Sequence, residues 1–508
     1  MSDVLSVLAS SLNDTQLAAA ARRLKNSTVN GGNRSAALTA LIELARSQKR
    51  MAVLICANAF DVARLNQEIA WLDPSLKVSS LPDWETLPYD TMSPHADLVS
   101  ERLETLYNLT SDDLQARPDV LIAAASTAAQ RFAPKSYVAG NTFFFRKGQT
   151  ISIGKLETSL VAAGYGRVEQ TMAPGEFAVR GGIVDIFPMG AATPLRLDLF
   201  DDEIDTIRRF DPESQRSTGS VDRVRILPGH EFAFDEESRN RFRAAWRAAF
   251  PGDPNKCPVY VDVGSGICSP GIEYYLPLFF ESTGTLADYL PDNALFITLG
   301  ETRDAIDSFI RQTQERYKFL SHDAQRPALP PEKLFDKADS FFDAIAPFGR
   351  ISLKAPETGI DTSLTIERSA KDPAAKLKDF VAKCRIEKKR ILIVATGSGR
   401  AARLQELLRD GVREPELVES FAAFVNGSEP LAIAVGPLSG GFVLEEPGLV
   451  IITESELYNT KAIIRRRGHN RTTNVEAIIR DVSELREGDP VVHAAHGVGR
   501  YHGLETIS

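Results

Sequence analysis

Pro174–Gly190 (PGEFAVRGGIVDIFPMG) and Pro194–Ser217 (PLRLDLFDDEIDTIRRFDPESQRS) decide how this chain is read. They read as paired extended segments separated by turns containing glycine and proline, with an acidic run at one end. In PLRLDLF, Leu195, Leu197 and Leu199 alternate with Arg196, Asp198 and Phe200. A period of two puts the leucines on one sheet face and the other three residues on the opposite face. Such a strand buries its leucines and turns an arginine and an aromatic ring outward, a pair of residue types enriched in protein-binding hot spots. The alternative is an ordinary edge strand whose arginine pairs with a neighbouring acid.

The same stretch resembles the second domain of the bacterial transcription-repair coupling factors, the Mfd family, which is related to the excision-repair protein UvrB. The likeness lies in the Gly181-Gly182 turn, the IVDIFPMG strand and turn, and the DDEID…FD…SQRS tail. In both families this domain docks onto UvrA. The resemblance implies that UvrA is contacted by the arginine before the double glycine, the arginine of the following strand and the phenylalanine four residues later. Those are Arg180, Arg196 and Phe200. Strand alternation independently puts Arg196 and Phe200 on one face.

At 508 residues the chain is too long for one domain, and three to five units are expected. Hydrophobic residues at 43% and charged residues at 25% match an ordinary soluble protein, and no segment reads as a membrane span or secretory signal. Cys56, Cys257, Cys268 and Cys384 are widely spaced with no CxxC pair, which argues against a zinc site or disulfide scaffold and fits a reducing cytoplasm. A formal charge of −9 argues against a protein coated in nucleic acid, but not against a local basic patch. The clearest patch is 460–480, where Lys461, Arg465, Arg466, Arg467, Arg471 and Arg480 face only Glu476. A linker or domain contact competes there with nucleic-acid contact. The smaller cluster Lys388, Lys389 and Arg390 reads as solvated surface.

Towards the N-terminus, a helix from about Arg34 to Ser47 and strands at Met51–Ala57, Lys77–Leu81 and Asp119–Ala125 alternate as in an α/β unit with a mainly parallel sheet. A second helix follows Ser93-Pro94, with Val99, Leu103 and Leu106 at helical spacing. A nucleotide hydrolase would carry GxxxxGK[ST] before its first long helix. Here Gly31-Gly32 precede the helix with no lysine in place, so no ATPase activity is expected of this unit. LPDWETLPYDTMSPHADLVSERLETLYNL also resembles the Mfd family, whose phosphate loop is degenerate. UvrB expands the region after the comparable tyrosine into an aromatic hairpin that enters DNA. Only the seven residues Asp90–Ala96 separate Tyr89 from the helix here, too few for that hairpin. Trp84 and Tyr89 are expected to pack rather than stack on bases.

Further along, EESRNRFRAAWRAAF reads as an amphipathic helix with Phe242, Trp246 and Phe250 on one side. Glu273, Tyr274 and Tyr275 imitate a catalytic cluster, but their apolar neighbours favour packing. The resemblance makes the second domain an insertion between the two halves of the first. A third α/β unit rests on ILIVATGSGR, AARLQELLRDG, LAIAVGPL and GLVIITESEL. In GSGR, Gly397 ends the strand and Ser398 is available to cap the next helix. The expected division is 1–133 and 226–345 for the UvrB-like domain and 134–225 for the inserted domain. The third domain takes 360–462, a basic linker 463–483, and a further domain opens at 484–508.

That last segment, EGDPVVHAAHGVGRYHGLETIS, resembles the opening of the family's RNA-polymerase-interacting domain, a small β-barrel that contacts the polymerase β subunit. Leu504, Glu505, Thr506 and Ile507 are the implied contact residues. His493, His496 and His502 lack the spacing of a metal site. The fold class is therefore α/β multidomain: a degenerate helicase-type UvrB-like domain, an inserted α+β UvrA-binding domain, a small α/β domain and the start of a small barrel. The chain reads as the N-terminal part of such a factor, with no catalytic, cofactor or metal residues of its own. ATP, magnesium and most double-stranded DNA contact belong to the family's motor, which lies after this region. The implied function is UvrA recruitment in transcription-coupled repair by a cytoplasmic protein. Two alternatives are a UvrB-like protein with its own nucleotide or DNA binding, and an inactive autoinhibitory clamp.

Overall fold

The computed structural model describes residues 27–30, 34–111, 116–189, 191–354, 360, 364–367, 372–409, 414–444, 448–458, 490–493 and 497–500. The chain opens with β1 (Ser27–Asn30), β2 (Ala52–Cys56), β3 (Val78–Leu81) and β4 (Val120–Ala124), interleaved with helices Arg34–Ser47, Ala59–Leu72 and Ala96–Thr110. β2 and β4 are five-residue apolar runs buried throughout, the pattern of strands covered on both faces.

The chain then leaves this unit through β5 (Phe143–Arg146) and returns through β12 (Arg223–Ile226). These two strands pair antiparallel, Phe143 opposite Ile226 and Arg146 opposite Arg223. Between them lie β6 (Gly166–Arg167), β7 (Glu176–Arg180), β8 (Ile183–Ile186), β9 (Leu195–Phe200), β10 (Glu203–Phe210) and β11 (Ser217–Val221), in the sheet order β11-β10-β9-β8-β7-β6. Helix Ile153–Ala162 covers one face through Leu156 and Leu160. With Phe177, Val184, Ile186, Leu195, Leu197, Ile204 and Ile207 they form a separate core.

β13 (Leu295–Leu299) and β14 (Gly349–Lys354) complete the first sheet in the order β1-β14-β13-β2-β4-β3, with every pairing parallel. Strands from before and after the excursion are thus neighbours, β2 beside β13. Five further strands, β15 (Arg390–Ala395), β16 (Glu416–Val418), β17 (Leu431–Val435), β18 (Phe442–Leu444) and β19 (Leu449–Thr453), form a sheet ordered β16-β17-β15-β19-β18. One face of it shares a continuous core with the first sheet: Leu65, Ile69 and Leu72 of helix Ala59–Leu72 pack with Phe421, Phe424, Leu392 and Ala432. Gly436 lies so close to Trp71 that a Cβ there would come within 2.5 Å of the indole ring. Helix Ser398–Arg409 begins at Ser398 itself, so the expected cap residue is inside the helix. The backbone carbonyl of Gly397 accepts from the N–H groups of Arg400 and Ala401. β20 (Pro490–His493) and β21 (Gly497–Arg500) pair antiparallel. They are the only described residues of the last segment. Leu504 to Ile507, His496, His502, the basic stretch 460–480 and Gly31-Gly32 lie outside the described residues.

Candidate functional site

The outer face of the inserted sheet, away from its helix, carries the three residues singled out by the sequence. β9 lies between β8 and β10, so the edge-strand alternative does not hold. Its second half does, because Arg196 pairs with an acid. Asp185 stands directly opposite Arg196 in the β8–β9 register and is completely buried. Arg196 donates from Nε to Asp185 Oδ1 at 2.6 Å and from Nη2 to Oδ2 at 2.8 Å. This two-pronged pairing matches the planar guanidinium to a carboxylate. Arg196 also donates to the Gln215 carbonyl at 3.3 Å and to Gln215 Oε1 at 3.4 Å, and its guanidinium lies 4.5 Å from the Phe210 ring centre. Only 14% of its side chain remains exposed.

Arg180, at the end of β7, reaches the same carboxylate, donating from Nη2 to Asp185 Oδ2 at 2.5 Å. It is half exposed, with 49% of the side chain open to solvent. The double glycine after it has a steric basis. Gly181 turns the chain at φ +61°, and a Cβ on Gly182 would meet the Leu199 carbonyl at 2.9 Å. Phe200 ends β9 with 77% exposure, far more than a large apolar side chain needs for folding. The face therefore brings Arg180, Arg196 and Phe200 together. Sequence reading missed Asp185, the acid that holds both arginines. Its position in IVDIF, out of phase with the buried Val184 and Ile186, was the available signal.

Buried polar contacts hold the inserted domain, and the segment that follows it, against the first unit. Glu231 Oε1 accepts from Arg102 Nε at 2.6 Å and from Trp84 Nε1 at 2.8 Å, and all three residues are buried. Tyr165 Oη donates to the Leu227 carbonyl at 2.7 Å, and Ser100 Oγ to that of Met189 at 2.9 Å. Tyr89 is also buried, with its hydroxyl donating to the Leu329 carbonyl at 2.8 Å, so Trp84 and Tyr89 are both packed. Glu273 is buried with Ser93 Oγ donating to it at 2.9 Å, and burial pushes its carboxyl up to about 7.

At the N-terminus of helix Arg34–Ser47, where a phosphate would be held in a nucleotide hydrolase, the protein places its own carboxylate. Ser35 Oγ donates to Glu68, which is fully buried. Glu68 also accepts from Arg64 Nη1 at 3.0 and 3.2 Å and from the Ser439 backbone N–H at 3.1 Å. Arg64 in turn donates to Asp61 at 2.5 Å and to Ser439 Oγ at 2.8 Å. Among the described residues no group of three or more His, Cys, Asp or Glu could hold a metal ion. No helix of the described residues is long and apolar enough to cross a membrane.

Arginines and an exposed ring thus share one sheet face of the inserted α+β domain. Residues 143–232 match the family model of the UvrB interaction domain, beginning at the first residue of β5. Residues 380–457 match the MFD D3 domain, and residues 485–508 the CarD-like/TRCF RID domain. The chain matches the N-terminal part of bacterial transcription-repair-coupling factors. It is 35% identical to that of Haemophilus influenzae over 482 residues, which is 92% of this chain and 41% of the relative. It is 35% identical to that of Escherichia coli K12 over 485 residues, 93% of the chain and 41% of the relative. The Bacillus subtilis factor is 26% identical over 508 residues, 95% and 42% of the two chains. This chain thus spans about two fifths of the length of these relatives.

Proposed function

We propose that this chain recruits UvrA in transcription-coupled nucleotide excision repair, through the outer face that carries Arg180, Arg196 and Phe200. The observation that carries this reading is a large exposed ring, Phe200, beside an ordered arginine cluster within the segment that matches the UvrB interaction domain. Phe200 supplies apolar burial and the arginine cluster supplies directional donors to acceptors on UvrA. The match of 485–508 to the RID domain supports a second contact, with the RNA polymerase β subunit through Leu504 to Ile507. In the whole factor this platform serves ATP-driven movement on double-stranded DNA that displaces stalled polymerase. The domain division set out above belongs to the same proposal.

The competing reading is a UvrB-like protein that binds nucleotide itself. Glu68 speaks against it, because a buried carboxylate at Ser35 opposes the negative charge of a phosphate. The test is titration calorimetry of the chain with purified UvrA, beside the triple alanine variant of Arg180, Arg196 and Phe200 with its folding checked by circular dichroism. Binding by the parent and its loss in the folded variant are expected. Equal binding by both proteins rejects the face.

A further inference from the structure

We propose that Arg208, which neither the domain match nor the sequence pattern singles out, makes the second cationic contact with the partner, while Arg196 is a positioning residue behind it. The inference rests on the docking reading above and refines it. Cross-strand pairing puts Asp185, Arg196 and Arg208 in one row on β8, β9 and β10. Two arginines directly opposite each other repel. The structure separates them by giving each its own acid. Arg196 turns to Asp185, whereas Arg208 turns diagonally to Asp198, donating from Nε at 2.9 Å and also from Nη2. Thr206 Oγ1 donates to the same Asp198 oxygen at 2.7 Å.

The two arginines end with opposite endowments. Arg196 has its Nε and both terminal nitrogens engaged, an aromatic ring against its guanidinium and little exposure. Arg208 uses Nε and Nη2 only, leaving Nη1 open on a side chain that is 42% exposed. Arg180 likewise uses one nitrogen and leaves Nε and Nη1 open. Along β9 the outward residues run Arg196, Asp198, Phe200. Arg180 on β7 stands in one row with Ile183 and Asp198, so a partner that covers Arg180 and Phe200 lies over β8 and along Asp198, to which Arg208 reaches from the next strand, β10. Beyond Phe200 the turn is acidic, with Asp201, Asp202 and Glu203. The face is basic at one end and acidic at the other, with the ring between. The partner surface that fits it carries carboxylates or carbonyls over Arg180 and Arg208, and an apolar socket for Phe200.

The experiment measures the affinity of the 508-residue chain for purified UvrA across a salt series, with thermal melts of every variant. Arg208→Ala is expected to weaken binding about tenfold or more without moving the melting temperature, and to flatten the salt dependence by the loss of one contacting charge. Arg208→Lys keeps the charge and the salt slope with an intermediate affinity. Arg196→Lys is expected to lower the melting temperature and to leave the salt slope as in the parent. If Arg208→Ala binds within about twofold of the parent while Phe200→Ala does not, the assignment of Arg208 is wrong and the docking reading stands. A parallel change of salt slope in an Arg196→Ala variant would make Arg196 the contact instead. No measurable binding by the parent overturns both.

Discussion

Asp185 accepts from Arg196 and Arg180 at once, its two oxygens shared between a guanidinium over the Phe210 ring and one that is half exposed. A single buried carboxylate thereby sets the geometry of the face that the proposed partner meets. Removing it strands Arg196 beside Phe210 without two of its four hydrogen bonds. Asp185→Ala is expected to cost about 3–5 kcal/mol, the usual penalty for breaking a buried pair from one side. Chemical denaturation monitored by circular dichroism measures it, and UvrA affinity should fall with it.

Phe200 gives the opposite result. With three quarters of its surface open, Phe200→Ala should change stability by no more than about 0.5 kcal/mol. Its expected effect on UvrA binding is a loss of about 2 kcal/mol or more. A matched pair of melts and calorimetric titrations separates the two quantities.

Glu273 makes stability depend on pH. Its carboxyl titrates near 7 in the folded chain, above the ordinary value, because burial disfavours the charge. Between the unfolded and folded values the native state binds the extra proton. The stabilising contribution is thus full below the unfolded value and is lost as pH rises through about 7. Glu273→Gln should be nearly neutral at acid pH and should gain on the order of 2–3 kcal/mol over the parent at pH 9, read by denaturation at both pH values.

The junction between the first and third sheets rests on polar and steric detail. Arg64→Ala leaves the buried Glu68 without its cation, and a loss of about 3–5 kcal/mol is expected. Gly436→Ala drives a methyl into Trp71, at an expected cost of about 1–3 kcal/mol. Either variant should make the third domain melt ahead of the first, visible as a split calorimetric transition.

Alternation and apolar runs made much of this architecture legible. The runs at Met51–Ala57 and Asp119–Ala125 marked strands of a mainly parallel sheet, and the period of two in PLRLDLF named the outward residues of β9. Local patterns could not reveal which acid an arginine takes. Arg196 and Arg208 look alike in sequence, and only the register between β9 and β10 sets them opposite each other and sends them to different carboxylates. The same limit applied to Glu68, one acid on an amphipathic helix until the chain folds Ser35 and Ser439 onto it. Ser398 was misjudged by one residue because glycine backbone capping leaves no side-chain signature.

The pairing of Phe143 with Ile226 brings the inbound and outbound strands of the inserted domain together where they meet the body of the molecule. The two strands span the same stretch between body and domain in opposite directions. A tug on the docked partner therefore loads two polypeptide backbones side by side, and the hydrogen bonds between them are not the links under tension. Arg225, bonded to Glu104 and Asn108 of helix Ala96–Thr110, braces this double tether from the side. Mechanically it is a strap with covalent fibres, suited to the docking role proposed for this domain.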